Sequence, residues 1–566
     1  MAEANKEAIF TQDDAESGHI SKHGDDEVAI HTETFAIKRE ALGEHLPPHY
    51  WRSPAFIGTV AALCFGNISN YVSWVLPSNS LLLINESIGP SPQISWVALA
   101  YTLGLAVGFL IVGRLSDIFG RRWFFIGGNF LALLSGILGA VAKDVNTLIG
   151  GNILGGLAGA VQISFTVAIA ELVPNKHRPL WVGAIFFSSF EFACFGPVLA
   201  QVFVANTASG WRVSYFINIA VSTMAVTCFF FFYHPPTFQL LHEDRTKMQQ
   251  LKRQDFIGLL LFTGGLILFI MGLSWGGGTY PWNSAHVIAC IVVGFLTLVA
   301  FVLWDAYGHH GDPLLPLHLF KTRGYLAMVL TAMVGSCVYY SMNVLWPQQI
   351  AYLFGGSTTH HGWLACVVGG SCLIGQVSGA VMCRYIKKSR YILIGGTLSL
   401  LAFSAAMRRH RRDMLAVSRP ARTAIEDIGA ALGALGSIRS GGASVATAIY
   451  VAILTNKLTK YVPEYVTPAA LNAGLPETSL KQLFAALTTG AFAKVPGITP
   501  EIIAAVGAAN ASAGAKSFQY VWYAVVAFCC VAVVAACLTV NYGEYLTDTV
   551  ERKLQIGGAG HDDEKA

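Results

Sequence analysis

Gly113-Arg-Leu-Ser-Asp-Ile-Phe-Gly-Arg-Arg122 is a polar, charged stretch set between two long apolar runs, Ile94–Val112 and Trp123–Val141. An apolar run of about 18 residues or more reads as a bilayer-spanning helix. The stretch is therefore a very short loop at a membrane face, and Gly113 and Gly120 let two helices turn tightly there. Asp117 can pair with the neighbouring arginines or with a helix end, in a contact that breaks and re-forms between conformations. A plain basic stop signal between two membrane helices would account for Arg114, Arg121 and Arg122. It would not account for the spacing of Gly113, Asp117 and Gly120.

The composition agrees with a membrane protein. Of the 566 residues 54% are hydrophobic and 12% charged, and the mean hydropathy is +0.53. A soluble domain carries about twice that charged fraction. The net charge of +4 is too small to imply a nucleic-acid partner. The 11 cysteines sit mostly singly in apolar runs, as at Cys64, Cys194, Cys290 and Cys537, and read as small core residues, not as a disulfide framework. The polar, acidic first 50 residues read as a disordered cytosolic tail with no cleavable signal. No phosphate loop, metal-ligand spacing or nucleophile–base set appears, so no enzyme activity, metal or cofactor is expected, and an ion gradient is the default energy source.

Apolar runs place spans near 54–76, 93–113, 123–142, 147–170, 180–203 and 213–233, then 255–275, 285–305, 325–346, 362–384, 391–407, 428–454 and 520–540. This divides the chain into a tail (1–50), a six-helix half (51–233), a charged connector with two extra helices (234–324), a second half (325–545) and a tail (546–566). Up to Arg390 the even-numbered loops hold fifteen Lys and Arg and the odd-numbered loops only Lys143 and Arg212. Positive charge stays inside, so the amino terminus is expected in the cytosol. The glycosylation candidates are Asn85, in the first outer loop, and Asn510.

G-x-L-S-D-x-x-G-R-R in such a loop resembles the signature of the major facilitator superfamily. Gly375-Gln-Val-Ser-Gly379, Arg384-Tyr-Ile-Lys-Lys-Ser-Arg390 and Ile394-Gly-Gly396 resemble a degraded copy lacking the Asp, after the second span of the second half. The superfamily uses two related six-helix halves with substrate near the midplane, and the two extra spans resemble its fourteen-helix branch. From about Pro47 the chain resembles the fungal trichothecene efflux pump family, which also contains siderophore-iron transporters. The resemblance is carried by Trp51-Arg-Ser-Pro54, Asn85-Glu-Ser-Ile-Gly-Pro90, Gln162-Ile-Ser-Phe165 and Glu171-Leu-Val-Pro-Asn-Lys-His-Arg178, with Pro313-Leu-Leu-Pro316, Gly436-Ser-Ile-Arg439 and Ala446-Thr-Ala-Ile-Tyr450. It implies an all-α polytopic protein and proton-coupled movement of a small organic molecule across the plasma membrane, with vacuolar or vesicular membranes as alternatives. The partners implied are that substrate, protons and the lipid bilayer, and a monomer is expected. Export of a toxin, drug or secondary metabolite is the first reading. Ferric siderophore uptake and a non-transporting membrane sensor are the alternatives.

Charged and polar residues inside spans are functional candidates, because the bilayer penalises them unless they face a cavity or a partner. Glu191 precedes Gly196-Pro197, a pair resembling the core of the antiporter motif of drug-efflux relatives, though Phe192 and Ala200 stand where that motif has glycines. Glu191 is the candidate for the coupling proton; a structural acid is the alternative. Asn67, Asn70, Tyr71, Trp74, Tyr101, Gln162, Tyr339, Tyr340, Asn343 and Arg439 form the candidate substrate-lining set. Glu171, with Lys176 and Arg178, reads as a gate or helix-end ion pair.

After Met407 the pattern breaks. Arg408-Arg-His-Arg-Arg412, Arg419 and Arg422 put six arginines where another apolar helix belongs. Each costs about 2.5–3.5 kcal/mol at a helix centre, so residues 408–424 cannot span. The second half is expected to lack one helix, through a frameshifted or mis-spliced coding sequence or a decayed gene.

Overall fold

The computed structural model describes residues 50–89, 91, 93–174, 177–235, 255–277, 280–308, 320–354, 357–386, 389–407, 430–489 and 495–539. Thirteen helices among them are long and apolar enough to cross a membrane. They are α1 (Pro54–Asn79), α2 (Ser95–Phe119), α3 (Arg121–Val141), α4 (Val145–Leu172), α5 (Arg178–Asn206), α6 (Val213–Phe232), α7 (Phe256–Trp275), α8 (Ala285–Tyr307), α9 (Arg323–Leu353), α10 (Thr358–Ile386), α11 (Ser389–Met407), α12 (Ala430–Asn472) and α13 (Pro500–Leu538). Side chains start several of them. Ser53, Asp144, Ser284 and Thr499 each accept from the amide three residues on, at α1, α4, α8 and α13. Two are discontinuous: α4 breaks at Ser164 and α5 at Ser188–Ser189.

The charged hairpin is tighter than its sequence suggests. Helix α2 runs on through Gly113 to Phe119, and Gly120 alone makes the turn before α3 begins at Arg121. Gly120 holds φ at 88°, a left-handed value that only glycine adopts readily. The face of the bundle that holds this turn is called the arginine face below.

Helix neighbours reveal an internal two-fold relation. In the first half α6 packs on α1 and α3, and α5 on α1; in the second, α13 packs on α9 and α11, and α12 on α9. The halves meet along two matched seams, α2 with α12 and α5 with α10. Helix α12 therefore takes the fifth position of its half although it is the fourth helix described there. Helix α4, which packs between α2 and α3, has no counterpart among the described residues. The extra pair α7 and α8 pack on each other, and α7 covers the outside of α12 and α2.

The ends of α11 and α12 make that gap a physical problem. Arg390, at the start of α11, donates to the Cys537 carbonyl at the end of α13, 2.8 Å away. Helices α12 and α13 are joined at their far ends, so the start of α12 lies level with the end of α13. Met407 thus ends at the face opposite to that where α12 begins. Residues 408–429, six arginines among them, lie outside the described residues.

The helices on either side of the segment 455–516 run well past the spans expected at 428–454 and 520–540. Helix α12 has 43 residues and α13 has 39, about twice the 20 needed to cross. Asn456 accepts from the Trp282 indole of the α7–α8 loop at 3.0 Å, and Lys457 stands 4.0 Å over the Tyr520 ring. Tyr and Lys together mark a membrane–water boundary. Sixteen further residues of α12, Lys457–Asn472, rise about 24 Å above it. With Leu480–Thr489 and the start of α13 they enclose a small core of their own, including Val466, Leu475, Leu483, Ile502 and Val506. Continuous helices form there because this core covers the apolar sides of both extensions.

Candidate functional site

Five helices from both halves bring one aromatic cluster together at the seam: Tyr71 and Trp74 from α1, Tyr101 from α2, Tyr339 and Tyr340 from α9, Gln376 from α10 and Arg439 from α12. Trp74 stacks on Tyr101 at 4.9 Å and receives the edge of Tyr340 at 5.4 Å. Tyr339 meets Tyr340 at 5.2 Å. Such pairs add about 0.5–1.5 kcal/mol each beyond their buried area. Tyr71 donates to Gln376 Oε1 at 3.4 Å, the one direct hydrogen bond of the cluster from half to half among the described residues. Tyr101 donates to Asn70 Oδ1 at 2.8 Å. The Arg439 guanidinium lies 5.8 Å over the Phe109 ring, which belongs to the same buried core as Tyr71, Trp74, Tyr101 and Tyr340. Trp74 Nε1, the Tyr339 hydroxyl and Arg439 Nε are buried without a hydrogen-bond partner.

The structure divides the expected substrate-lining set. Tyr71, Trp74, Tyr101, Tyr339, Tyr340 and Arg439 converge on the seam. Asn67 instead donates to the Ile185 carbonyl and to Ser189, each at 3.0 Å, which ties α1 to the break in α5. Gln162 donates to Ser69 and Asn129, each at 3.0 Å, inside a network that Asn218 and Ser222 complete. Asn343 donates to the Tyr339 carbonyl of its own helix. Sequence reasoning missed Phe109 and Gln376. Gln376 carried a signal: it is a polar residue inside an apolar helix, in the degraded repeat.

At the arginine face a second site assembles. Arg121 and Glu171 form an ion pair of 2.8 Å between side chains only 5% and 4% exposed. The sequence grouped Glu171 with Lys176 and Arg178; folding instead brings the end of α4 under the start of α3. Arg178 donates to the Val173 carbonyl at 3.2 Å, and Lys176 lies outside the described residues, as does the Asp117 side chain. Arg122 donates to the Phe230 carbonyl, 2.7 Å away at the end of α6. A strap closes over this corner: the Tyr50 hydroxyl donates to the Leu172 carbonyl at 3.3 Å, and Trp51 stacks on Trp181 at 5.6 Å.

Glu191 occupies the first turn of the half-helix that restarts at Phe190, where the helix dipole favours a negative charge. It is exposed, on the ridge of Phe187 and Phe195. Gly196 packs on Val75 of α1, and Pro197 follows inside the helix. Asn85 Oδ1 accepts from the Ser91 amide at 2.9 Å, and Ser87 of its sequon accepts from the Trp211 indole at 2.7 Å. Asn510 is half-buried on the outer part of α13.

Two paired bundles, an aromatic cluster at their seam and a buried ion pair beside a glycine turn define a secondary transporter of the major facilitator class. The model of the fungal trichothecene efflux pump family matches residues 24–422 and 414–564, and the chain belongs to that family. The two matched stretches overlap inside the arginine run. The trichothecene efflux pump of Fusarium sporotrichioides is 30% identical over 92% of this chain and 91% of its own length. That of Trichoderma arundinaceum is 27% identical, covering 91% of each chain. An MFS-type transporter of Penicillium rubens is 28% identical over 76% of this chain and 86% of its own. The solved proton:xylose symporter XylE aligns over 88% of this chain and 97% of its own, at 16% identity and a TM-score of 0.44.

Proposed function

We propose that the chain exports a small organic molecule, a secondary metabolite of the kind the efflux relatives are named for, through the aromatic cluster at the seam. The observation that carries this is the cluster itself: both halves contribute to it, so any rocking of one half against the other remodels it. Tyr71–Gln376 is the hydrogen bond across the seam that such rocking breaks. The Arg121–Glu171 pair, beside the one-residue turn, acts as the latch at the cytosolic face. The distribution of Lys and Arg supports a cytosolic arginine face and amino terminus. We place the protein in the plasma membrane as a monomer.

Protons supply the energy in this reading. Glu191 is the one Asp or Glu in the middle of any of the thirteen spans, which makes it the candidate carrier. The test is a trichothecene accumulation assay in inside-out vesicles, with and without an imposed pH gradient. Gradient-dependent accumulation, lost in Y71F/Q376L and decoupled from the gradient in E191Q, is expected. Accumulation that ignores the pH gradient removes the proton reading. A seam variant that transports like the parent removes the assignment of the site.

A further inference from the structure

We infer that the seam cluster selects its ligand by oxygen acceptors, with Arg439 as the specificity-determining cation, so that anions and acceptor-rich neutral molecules bind and organic cations do not. The inference takes the location of the site from the export reading and adds the chemistry of what fits there.

The unpartnered groups of the cluster can all donate, and two of them can do nothing else. Arginine and the tryptophan indole can only donate. Arg439 makes no hydrogen bond or ion pair among the described residues, and its Nε is buried. On one side it has only the π-face of Phe109. Trp74 is 4% exposed, with its indole nitrogen unpartnered, and the Tyr339 hydroxyl is also unpartnered. Gln376 Oε1, an available acceptor, already receives the Tyr71 hydroxyl. A buried donor without a partner costs about 1–3 kcal/mol, and more when it is charged. These groups are therefore matched by a ligand that brings acceptors.

The charge balance points the same way. Residues 54–79, 95–112, 323–353, 358–386 and 430–456, the membrane parts of all five contributing helices, contain no Asp or Glu. A cationic ligand would meet Arg439 with no carboxylate to answer either charge, and like charges inside a bilayer repel with little screening. A carboxylate, enolate, ester or epoxide oxygen meets the guanidinium directly, while Tyr71, Tyr340 and Phe109 offer apolar faces to the rest of the molecule. Arg439 is the strongest donor here, because hydrogen bonds from an ionised group are about twice as strong as neutral ones.

Equilibrium binding to the full chain in detergent, with three probes sharing one ring system, tests this. The probes are 2-naphthoate, methyl 2-naphthoate and 2-naphthylmethylamine. The acid and the ester are expected to bind at least about tenfold tighter than the amine, and R439Q to weaken naphthoate by about tenfold or more while leaving the amine unchanged. R439K, which keeps the charge but loses the planar fork, should fall between. An amine that binds as tightly as the acid overturns the inference. So does an R439Q protein that binds naphthoate like the parent, or a folded parent that binds none of the three. Should R439Q not fold, the ranking of probes on the parent decides alone. Ranked binding without vesicle flux would sink the export reading and leave this inference standing; flux with equal affinity for the amine would do the reverse.

Discussion

In the first half, α4 lies in the groove between α2 and α3, so close that a Cβ at Gly156 would run into the Tyr101 carbonyl. In the second half, α10 and α11 hold the positions of α2 and α3 with no such helix described between them. The consequence is measurable along both. In the most apolar stretch of α2, 78% of the residues are buried, against 39% in α10; for α3 and α11 the figures are 44% and 17%. Large side chains on these two helices stand exposed among the described residues, among them Ile374, Tyr385, Tyr391 and Leu398. A transporter built on two-fold exchange needs both halves to move as rigid bodies. Among the described residues, the first half has the fuller internal packing for this.

An apolar helix in place of the arginine run gives the largest expected effect. Replacing residues 408–424 by a 20-residue apolar helix should raise trichothecene flux in proteoliposomes by about a hundredfold or more over the unaltered chain. That factor is equivalent to roughly 3 kcal/mol. The mature transcript across Leu401 to Asp427 shows whether the cell makes such a helix itself. Equal flux from both proteins would mean that the second half works without a fourth helix, and the contrast between halves would lose its functional meaning.

The latch comes next. E171Q removes the carboxylate from the buried ion pair with Arg121, and breaking a buried pair costs about 3–5 kcal/mol. Thermal unfolding in detergent should show a large loss, recovered in part by the swap R121E/E171R. A loss no larger than that of a surface variant would show that the pair does not hold the first half together. Smaller still is the packing contrast. G156V inserts bulk into the α2–α4 contact and should cost about 1–3 kcal/mol. G395V, on α11 with nothing within 4 Å, should change stability by less than about 0.5 kcal/mol. Equal penalties would mean that α11 is covered in the working protein.

The fold was legible because its signals are long. Thirteen apolar runs and one glycine-spaced charge motif are readable without knowing which helix touches which. The break in the pattern was legible too, since each arginine costs about 2.5–3.5 kcal/mol at a helix centre. Contacts between distant segments were not. Glu171 lies next to Lys176 and Arg178 in sequence but meets Arg121 in space, 50 residues away. Asn67 and Gln162 looked like cavity residues because polar groups in a span need partners. Sequence cannot say that the partners are Ser189, Ser69 and Asn129 inside one half. The reach of α12 and α13 beyond the membrane was hidden because Lys457, Lys460 and Tyr461 look like the end of a helix. They mark the boundary of the bilayer on a helix that continues.

The smallest expected effect tests whether the two halves share anything below the level of helix order. Arg122, at the start of α3, caps the carbonyl of Phe230 at the end of α6 at 2.7 Å. Arg390, at the start of α11, caps that of Cys537 at the end of α13 at 2.8 Å. The first and second halves thus repeat one contact: an arginine just after the turn, closing the last turn of the sixth helix. A cation at a helix carboxyl end contributes about 0.3–1 kcal/mol, so R122A and R390A should each lower thermal stability slightly and by nearly the same amount. Arg122 also lies 5.8 Å and 5.7 Å from the Trp123 and Phe230 rings, so the first-half variant should be marginally the worse. If R390A proves neutral while R122A does not, the second cap is a geometric relic. The second half would then keep the helix order of the first without the closing bond that the first half uses.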